Sequence, residues 1–102
     1  MLKILIVDDD ALTRKGIRML MPWDRHQMEI VGESANGKEA LDFLKENKVD
    51  LVLVDLDMPV MDGMTFIKTA SGLYPELNYV VLTIHTEFEH IQGALRCGTI
   101  DY

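Results

Sequence analysis

The chain has 102 residues, of which 48% are hydrophobic, and a formal net charge of −7. This length allows one domain with a buried core, and the acidic charge argues against direct binding of nucleic acid or an anionic membrane by this segment. The single cysteine, Cys97, cannot form an internal disulfide, and no apolar run is long enough to span a membrane, so we expect a cytoplasmic protein.

The hydrophobic pattern predicts five strands that alternate with four helices. The predicted strands are Leu2–Val7, Met28–Glu33, Leu51–Val54, Tyr79–Thr83 and Thr99–Tyr102. The predicted helices run from Ala11 to about Leu20, from a cap at Asn36 to about Glu46, from Gly63 to about Ala70, and from a cap at Thr86 to Cys97. In the first helix, one face carries Leu12, Gly16, Met19 and Leu20.

This alternation predicts an α/β fold with a parallel sheet, right-handed crossovers and helices on both faces. The second predicted strand is less apolar than the others, so we place it at the edge of the sheet. A fifth helix is expected after the fifth strand, and this chain ends at Tyr102 before it. We therefore expect a single domain over residues 1–102 that is incomplete at its C-terminal end.

Acidic side chains follow two of the predicted strands. The apolar run Leu51–Val54 stops at Asp55, and the first strand ends in Asp8, Asp9 and Asp10. If these strands are parallel neighbours, Asp8, Asp9 and Asp55 converge at one edge of the sheet, where open α/β sheets bind ligands. Clustered carboxylates raise one another's pKa, and Mg²⁺ removes that repulsion. The pattern predicts a Mg²⁺ site with one carboxylate free to react.

Simpler interpretations exist for the same residues. On its own, the acidic run after the first strand would be a solvated loop with a helix cap. Thr83 could serve only as a hydroxyl that satisfies backbone at a strand end, and Tyr102 could be a core aromatic. The presence of Asp55 at a matching strand end favours a site.

Taken together, these residues resemble the receiver domain of two-component response regulators, over the whole chain. The resemblance is carried by Asp8-Asp9, the segment Asp55-x-x-Met58-Pro59-x-Met61-Asp62-Gly63, Thr83, Ala94-Leu95-x-x-Gly98 and Asp101-Tyr102. It implies a flavodoxin-like, doubly wound five-stranded parallel sheet of strand order 2-1-3-4-5, which also sets strands one and three side by side. Trp23, Glu29–Glu33 and Glu87–Glu89 look most like receivers attached to AraC-type DNA-binding domains.

The resemblance implies a role for each matching residue. Asp55 would accept a phosphoryl group from a sensor histidine kinase. Asp9 and Asp55 would bind Mg²⁺ directly, together with the backbone carbonyl of Asp57, and Asp8 would hold the ion through water. Thr83 would hydrogen-bond the phosphoryl group, and Tyr102 would move inward with it.

The sequence departs from the family pattern in two places. The family has a lysine beyond the position of Tyr102 that pairs with the phosphoryl group, and the chain ends before it. Ile84 replaces a residue that is usually small, and we expect its bulk to restrict access to Asp55. Asp57 and His85 occupy the variable positions beside the site, and we expect them to tune the lifetime of the acyl phosphate.

Three functions follow from these observations. The first is a phosphorylation-dependent switch that is not an enzyme beyond its own phosphorylation and dephosphorylation; it would regulate an output domain of the DNA-binding type, and hence transcription. The second is a haloacid-dehalogenase-type phosphatase, since Asp55-Leu56-Asp57 resembles the acidic pair of that family. The third is an interaction domain that keeps the fold without phosphorylation. Apolar sheet surface left without its last helix would allow a homodimer.

Overall fold

The computed structural model describes residues 1–20, 22–58 and 60–82, and the backbone of residues 99–101. The strands are β1 Leu2–Val7, β2 Met28–Ser34, β3 Leu51–Asp55, β4 Asn78–Leu82 and β5 Thr99–Asp101. The α-helices are α1 Ala11–Met19, α2 Gly37–Glu46 and α3 Gly63–Leu73, and a short 3-10 helix spans Trp23–His26. The helix expected over residues 86–97 lies outside the described residues.

The five strands form one parallel sheet in the order β2-β1-β3-β4-β5, which confirms the predicted topology. β1 lies between β2 and β3, and Val7 pairs with Ser34 on one side and with Val54 on the other. The residues that follow these pairs therefore emerge at the same edge of the sheet.

The main core lies between the sheet and the helices α2 and α3. Every second residue of each strand contributes to this core, because successive side chains point to opposite faces of a strand. Its side chains with 2% or less of their surface exposed are Leu5, Val7, Ala40, Val52, Val54, Leu56, Phe66, Ile67, Ala70, Tyr79 and Val81. The rings of Phe66 and Tyr79 pack edge to face, with centroids 6.3 Å apart.

A smaller apolar cluster covers the opposite face of the sheet. Ile4, Ile6 and Leu53 form its buried centre, and the partly buried side chains of Ile17 and Trp23 pack against them. The indole N–H of Trp23 donates to the carbonyl of Ile17 at 3.0 Å, which ties the end of α1 to the 3-10 helix.

The apolar face predicted for α1 does not pack on the sheet. Leu12, Met19 and Leu20 are 73–76% exposed, and an added Cβ at Gly16 would meet nothing within 4 Å. The helix instead turns Ile17 onto the sheet, on the same side as Arg14. Burial of Ile17 and the hydrogen bonds of Arg14 together fix the rotation of α1, and the apolar stripe is left facing away from the sheet.

The predicted helix caps at Asp10 and Asn36 are confirmed, and the predicted cap at Thr86 lies outside the described residues. Asp10 accepts a hydrogen bond from the amide of Leu12 at 3.0 Å, and Asn36 accepts one from the amide of Glu39 at 2.9 Å. α3 continues three residues beyond the predicted end at Ala70, to Leu73. Its last turn closes when the amide of Tyr74 donates to the carbonyl of Ala70 at 2.7 Å.

Candidate functional site

Asp55 is the last residue of β3, at the edge of the sheet where β1 also ends. The apolar residues before it are buried on both faces, so the strand delivers the carboxylate as a fixed group. The side chain is half-buried, which leaves it open to a reaction partner. This placement agrees with the sequence interpretation of β3.

Three carboxylates meet at this edge. Oxygen atoms of Asp8, Asp9 and Asp55 all lie within 4.8 Å of one another. Asp8 is buried, Asp55 is half-buried and Asp9 is exposed. Hard oxygen donors at this spacing suit Mg²⁺, which binds through one or two carboxylates and retains several waters. The structure therefore brings together the three acidic side chains that the sequence selected.

The backbone around Asp8 is held from both sides. Its amide donates to the carbonyl of Ser34 on β2 at 3.0 Å, and its carbonyl accepts from Nη1 of Arg14 at 2.6 Å. Its Oδ1 atom accepts the amide of Asp10 at 2.8 Å, which closes a tight turn into α1. These bonds set the direction in which the acidic loop leaves the sheet.

Asp57 contacts the side chain of Asp55 through its backbone. The amide of Asp57 donates to Oδ1 of Asp55 at 3.1 Å. Its own side chain is exposed. Among the described residues, Oδ2 of Asp55 accepts no hydrogen bond.

Burial and charge alter the acidity of the cluster. The pKa of Asp55 is raised from 3.8 to about 6, mainly by burial. The hydrogen bond from the Asp57 amide lowers it, and the charges of Asp8, Asp9 and Asp57 contribute smaller increases. Burial also raises the pKa of Asp8. A cation at this edge would favour the ionised carboxylates, which burial and the neighbouring negative charges disfavour.

The loop after Asp55 needs glycine at its end. The amide of Gly63 donates to the carbonyl of Leu56 at 3.0 Å, and a Cβ at Gly63 would lie 2.2 Å from the carbonyl oxygen of Asp55. Asp62 caps α3 by accepting from the amide of Thr65 at 2.8 Å. The start of α3 is thereby seated directly on the end of β3.

Two residues that support the site, Arg14 and Arg18, were not identified from the sequence. Arg14 donates from Nε to Oε1 of Glu33 at 2.9 Å while Nη1 binds the Asp8 carbonyl, and Arg18 also pairs with Glu33. The hydrogen bond from Arg18, followed by that from Arg14, lowers the pKa of Glu33. The sequence did contain a signal for Arg14, because it is a basic residue in the first turn of a helix, where the helix dipole disfavours positive charge.

Several predicted site residues lie outside the described residues: Pro59, Thr83, Ile84, His85 and Tyr102. Their expected roles remain predictions.

The sheet order and the acidic edge together define a response regulator receiver domain, and comparison with known proteins agrees. The response regulator receiver domain family matches residues 4–102. The uncharacterized transcriptional regulatory protein YhcZ of Bacillus subtilis (strain 168) is 45% identical over 99% of this chain. A protein-glutamate methylesterase/protein-glutamine glutaminase of Methanosarcina mazei is 38% identical over the whole chain. The chain therefore belongs to the response regulator receiver domain family.

A solved structure has the same architecture. The REC domain of AraT, a response regulator from Geobacillus stearothermophilus, is 42% identical and matches with a TM-score of 0.91 over 99% of this chain and 78% of that one. Family membership decides against the phosphatase alternative.

The chain spans 47% of YhcZ and 29% of the methylesterase. Within the described residues, no helix is long and apolar enough to cross a membrane.

Proposed function

We propose that this chain is a phosphorylation-dependent signalling switch in which Asp55 accepts a phosphoryl group from a sensor histidine kinase. The observation that carries the proposal is the convergence of Asp8, Asp9 and Asp55 within 4.8 Å at the ends of two neighbouring strands. Phosphoryl transfer requires positioning and charge neutralisation. The rigid end of the strand positions Asp55, and the clustered acids can bind a cation that neutralises the charge.

The reacting group is Oδ2 of Asp55, which accepts no hydrogen bond from the part of the chain that the structure describes. Its Oδ1 is held by the Asp57 amide at 3.1 Å, so Oδ2 attacks phosphorus while the bond from phosphorus to the kinase imidazole nitrogen breaks. The electron pair of that bond leaves with the imidazole, and the product is an acyl phosphate. A pKa of about 6 leaves Asp55 mostly ionised at neutral pH, as a nucleophile must be.

Asp8, Asp9 and Asp55 would hold Mg²⁺, with the backbone carbonyl of Asp57 as a further ligand. Mg²⁺ bound there offsets the charge of the incoming phosphoryl group. Asp8 is buried and its loop is fixed by Ser34 and Arg14, so its carboxylate is positioned before the ion arrives. Asp9 is the exposed member of the set and is open to the ion from solvent.

The remaining roles concern response and lifetime. Thr83 would hydrogen-bond the phosphoryl oxygens, and Tyr102 would follow it, so that modification shifts the balance between two packings. Asp57, Ile84 and His85 would set the lifetime of the acyl phosphate by controlling access of water.

An output domain would respond to the phosphorylation of Asp55. The chain spans less than half of YhcZ, and its two curated relatives above carry different names, a transcriptional regulator and a methylesterase. We propose a DNA-binding output domain that regulates transcription, since the relative with the higher identity is named as a transcriptional regulatory protein.

The test is the intact mass of the protein after incubation with Mg²⁺ and acetyl phosphate. The wild type should gain one phosphoryl group in a Mg²⁺-dependent manner, and Asp55→Asn should gain none. Asp62→Asn is the matched control, because asparagine keeps the cap of α3 and removes an acid from the same loop. A wild type without an adduct would instead favour an interaction domain that keeps the fold alone.

A further inference from the structure

Arg14 stands at an unfavourable place in α1 for a positive charge. It is the fourth residue of the helix, within the first turn, where the exposed amides give the helix its positive end. Arg18, one turn later, lies in the last turn, where the dipole favours a cation. The electrostatics of the helix therefore account for Arg18 and leave Arg14 to be explained by its contacts.

The guanidinium of Arg14 is fixed at two points. Its Nε donates to Oε1 of Glu33 at 2.9 Å, and its Nη1 donates to the carbonyl of Asp8 at 2.6 Å. The side chain of Arg14 is 18% exposed, against 45% for Arg18. A planar group held through two nitrogens has one orientation, which a lysine ammonium could not reproduce.

The Asp8 carbonyl is the point at which β1 ends and the acidic loop begins. Among the described residues, the pairing of β1 with β3 ends at Val7 with Val54, and Arg14 supplies the hydrogen bond to this oxygen. The next peptide carries Asp9, and the Asp10 amide that follows closes onto the Asp8 carboxylate. The direction of this carbonyl therefore sets where the carboxylates of Asp8 and Asp9 point.

We infer that Arg14, oriented by Glu33, is a positioning residue that holds the β1–α1 loop in the geometry that binds a divalent cation. The expected effect on Mg²⁺ binding rests on the proposed function. It adds a link from the edge strand β2 to the acidic cluster, through Glu33 and Arg14. Partners that orient metal ligands from behind change metal affinity by about 10- to 100-fold when they are removed.

The test compares Arg14→Gln with Arg18→Gln. Both variants remove one cationic partner of Glu33 from the same helix, and only the first removes the bond to Asp8. By titration calorimetry, Arg14→Gln should bind Mg²⁺ about 10-fold more weakly, and Arg18→Gln should stay within about 2-fold of the wild type. At saturating Mg²⁺, Arg14→Gln should form the Asp55 adduct at nearly the wild-type rate, which a general loss of structure would not permit.

A second measurement needs no metal. In metal-free protein, the backbone ¹⁵N order parameters of Asp9 and Asp10 should fall from about 0.85 toward 0.6 in Arg14→Gln and stay unchanged in Arg18→Gln. A wild type that binds no Mg²⁺ would contradict the proposed function, and these order parameters would still decide the role of Arg14. Unchanged order parameters, unchanged or tighter Mg²⁺ binding by Arg14→Gln, or equal losses in both variants would overturn the inference.

Discussion

The α-carbon of Gly63 faces the carbonyl oxygen of Asp55 so closely that a Cβ there would lie 2.2 Å from it. The same Cβ would meet the α-carbon of Leu56 at 2.7 Å. Both neighbours are backbone atoms, so a side chain could be accommodated only if α3 moved away from the end of β3. The end of β3, which carries the proposed phosphoacceptor Asp55, is therefore packed directly against the start of α3.

Gly63→Ala should destabilise the domain by about 2–3 kcal/mol, because overpacking against backbone cannot be relieved by a rotamer change. Urea unfolding measures the loss. Gly72→Ala is the matched control in the same helix, since a Cβ there meets nothing within 4 Å. It should stabilise by about 0.5–1 kcal/mol through helix propensity. Equal effects of the two substitutions would contradict the packing argument.

Val60 carries backbone strain in the loop between β3 and α3. Its φ is 68°, a left-handed conformation that costs a β-branched residue about 1–2 kcal/mol, and its side chain is 80% exposed. Val60→Asn should therefore raise the free energy of unfolding by about 1 kcal/mol, because asparagine tolerates this conformation. Val60→Thr keeps the β-branch and should change little. A gain shared by both variants would point to side-chain polarity as the cause.

The raised pKa of Asp55 makes stability depend on pH. Between its ordinary pKa of 3.8 and its folded value of about 6, the folded protein binds more protons at Asp55 than the unfolded chain does. Its favourable contribution is therefore complete below the lower value and is lost as pH rises through the higher one. Asp55→Asn does not titrate, so without divalent cations its advantage over the wild type should be larger at about pH 7.5 than at about pH 5. Urea midpoints at both pH values test this, and a constant difference would contradict it.

Mg²⁺ should stabilise the folded domain. At a concentration ten times its dissociation constant, the ion should contribute about 1.4 kcal/mol, which raises the thermal midpoint by several degrees. Asp9→Asn should abolish most of this shift. Asp10→Asn should retain it, because Asp10 caps α1 and asparagine caps equally well. Thermal unfolding with and without Mg²⁺ gives the comparison, and an equal shift in all three proteins would place the ion elsewhere.

The strands and the acidic cluster were predictable because their signals are local. The apolar run before Asp55 marks a buried strand, and the alternation of strands and helices then requires a parallel sheet. The rotation of α1 was not predictable from its apolar stripe. Arg14 and Ile17 fix it through contacts with Glu33 and the sheet, which the spacing along one helix does not contain.

The left-handed backbone at Val60 was likewise missed. Valine is a residue that normally avoids this region, so its presence predicts extended backbone. The loop that contains Val60 closes where the Gly63 amide bonds the Leu56 carbonyl, a contact that residue types alone do not reveal.

The position of β1 between β2 and β3 has a consequence for how the domain is made. β1 is synthesised before β3, and it cannot complete its pairing until β3 has also been synthesised. Asp8 and Asp9 are therefore without Asp55 throughout early synthesis. A nascent chain should gain its divalent-ion affinity only when β1 and β3 have paired, so that ion binding reports the joining of these two strands.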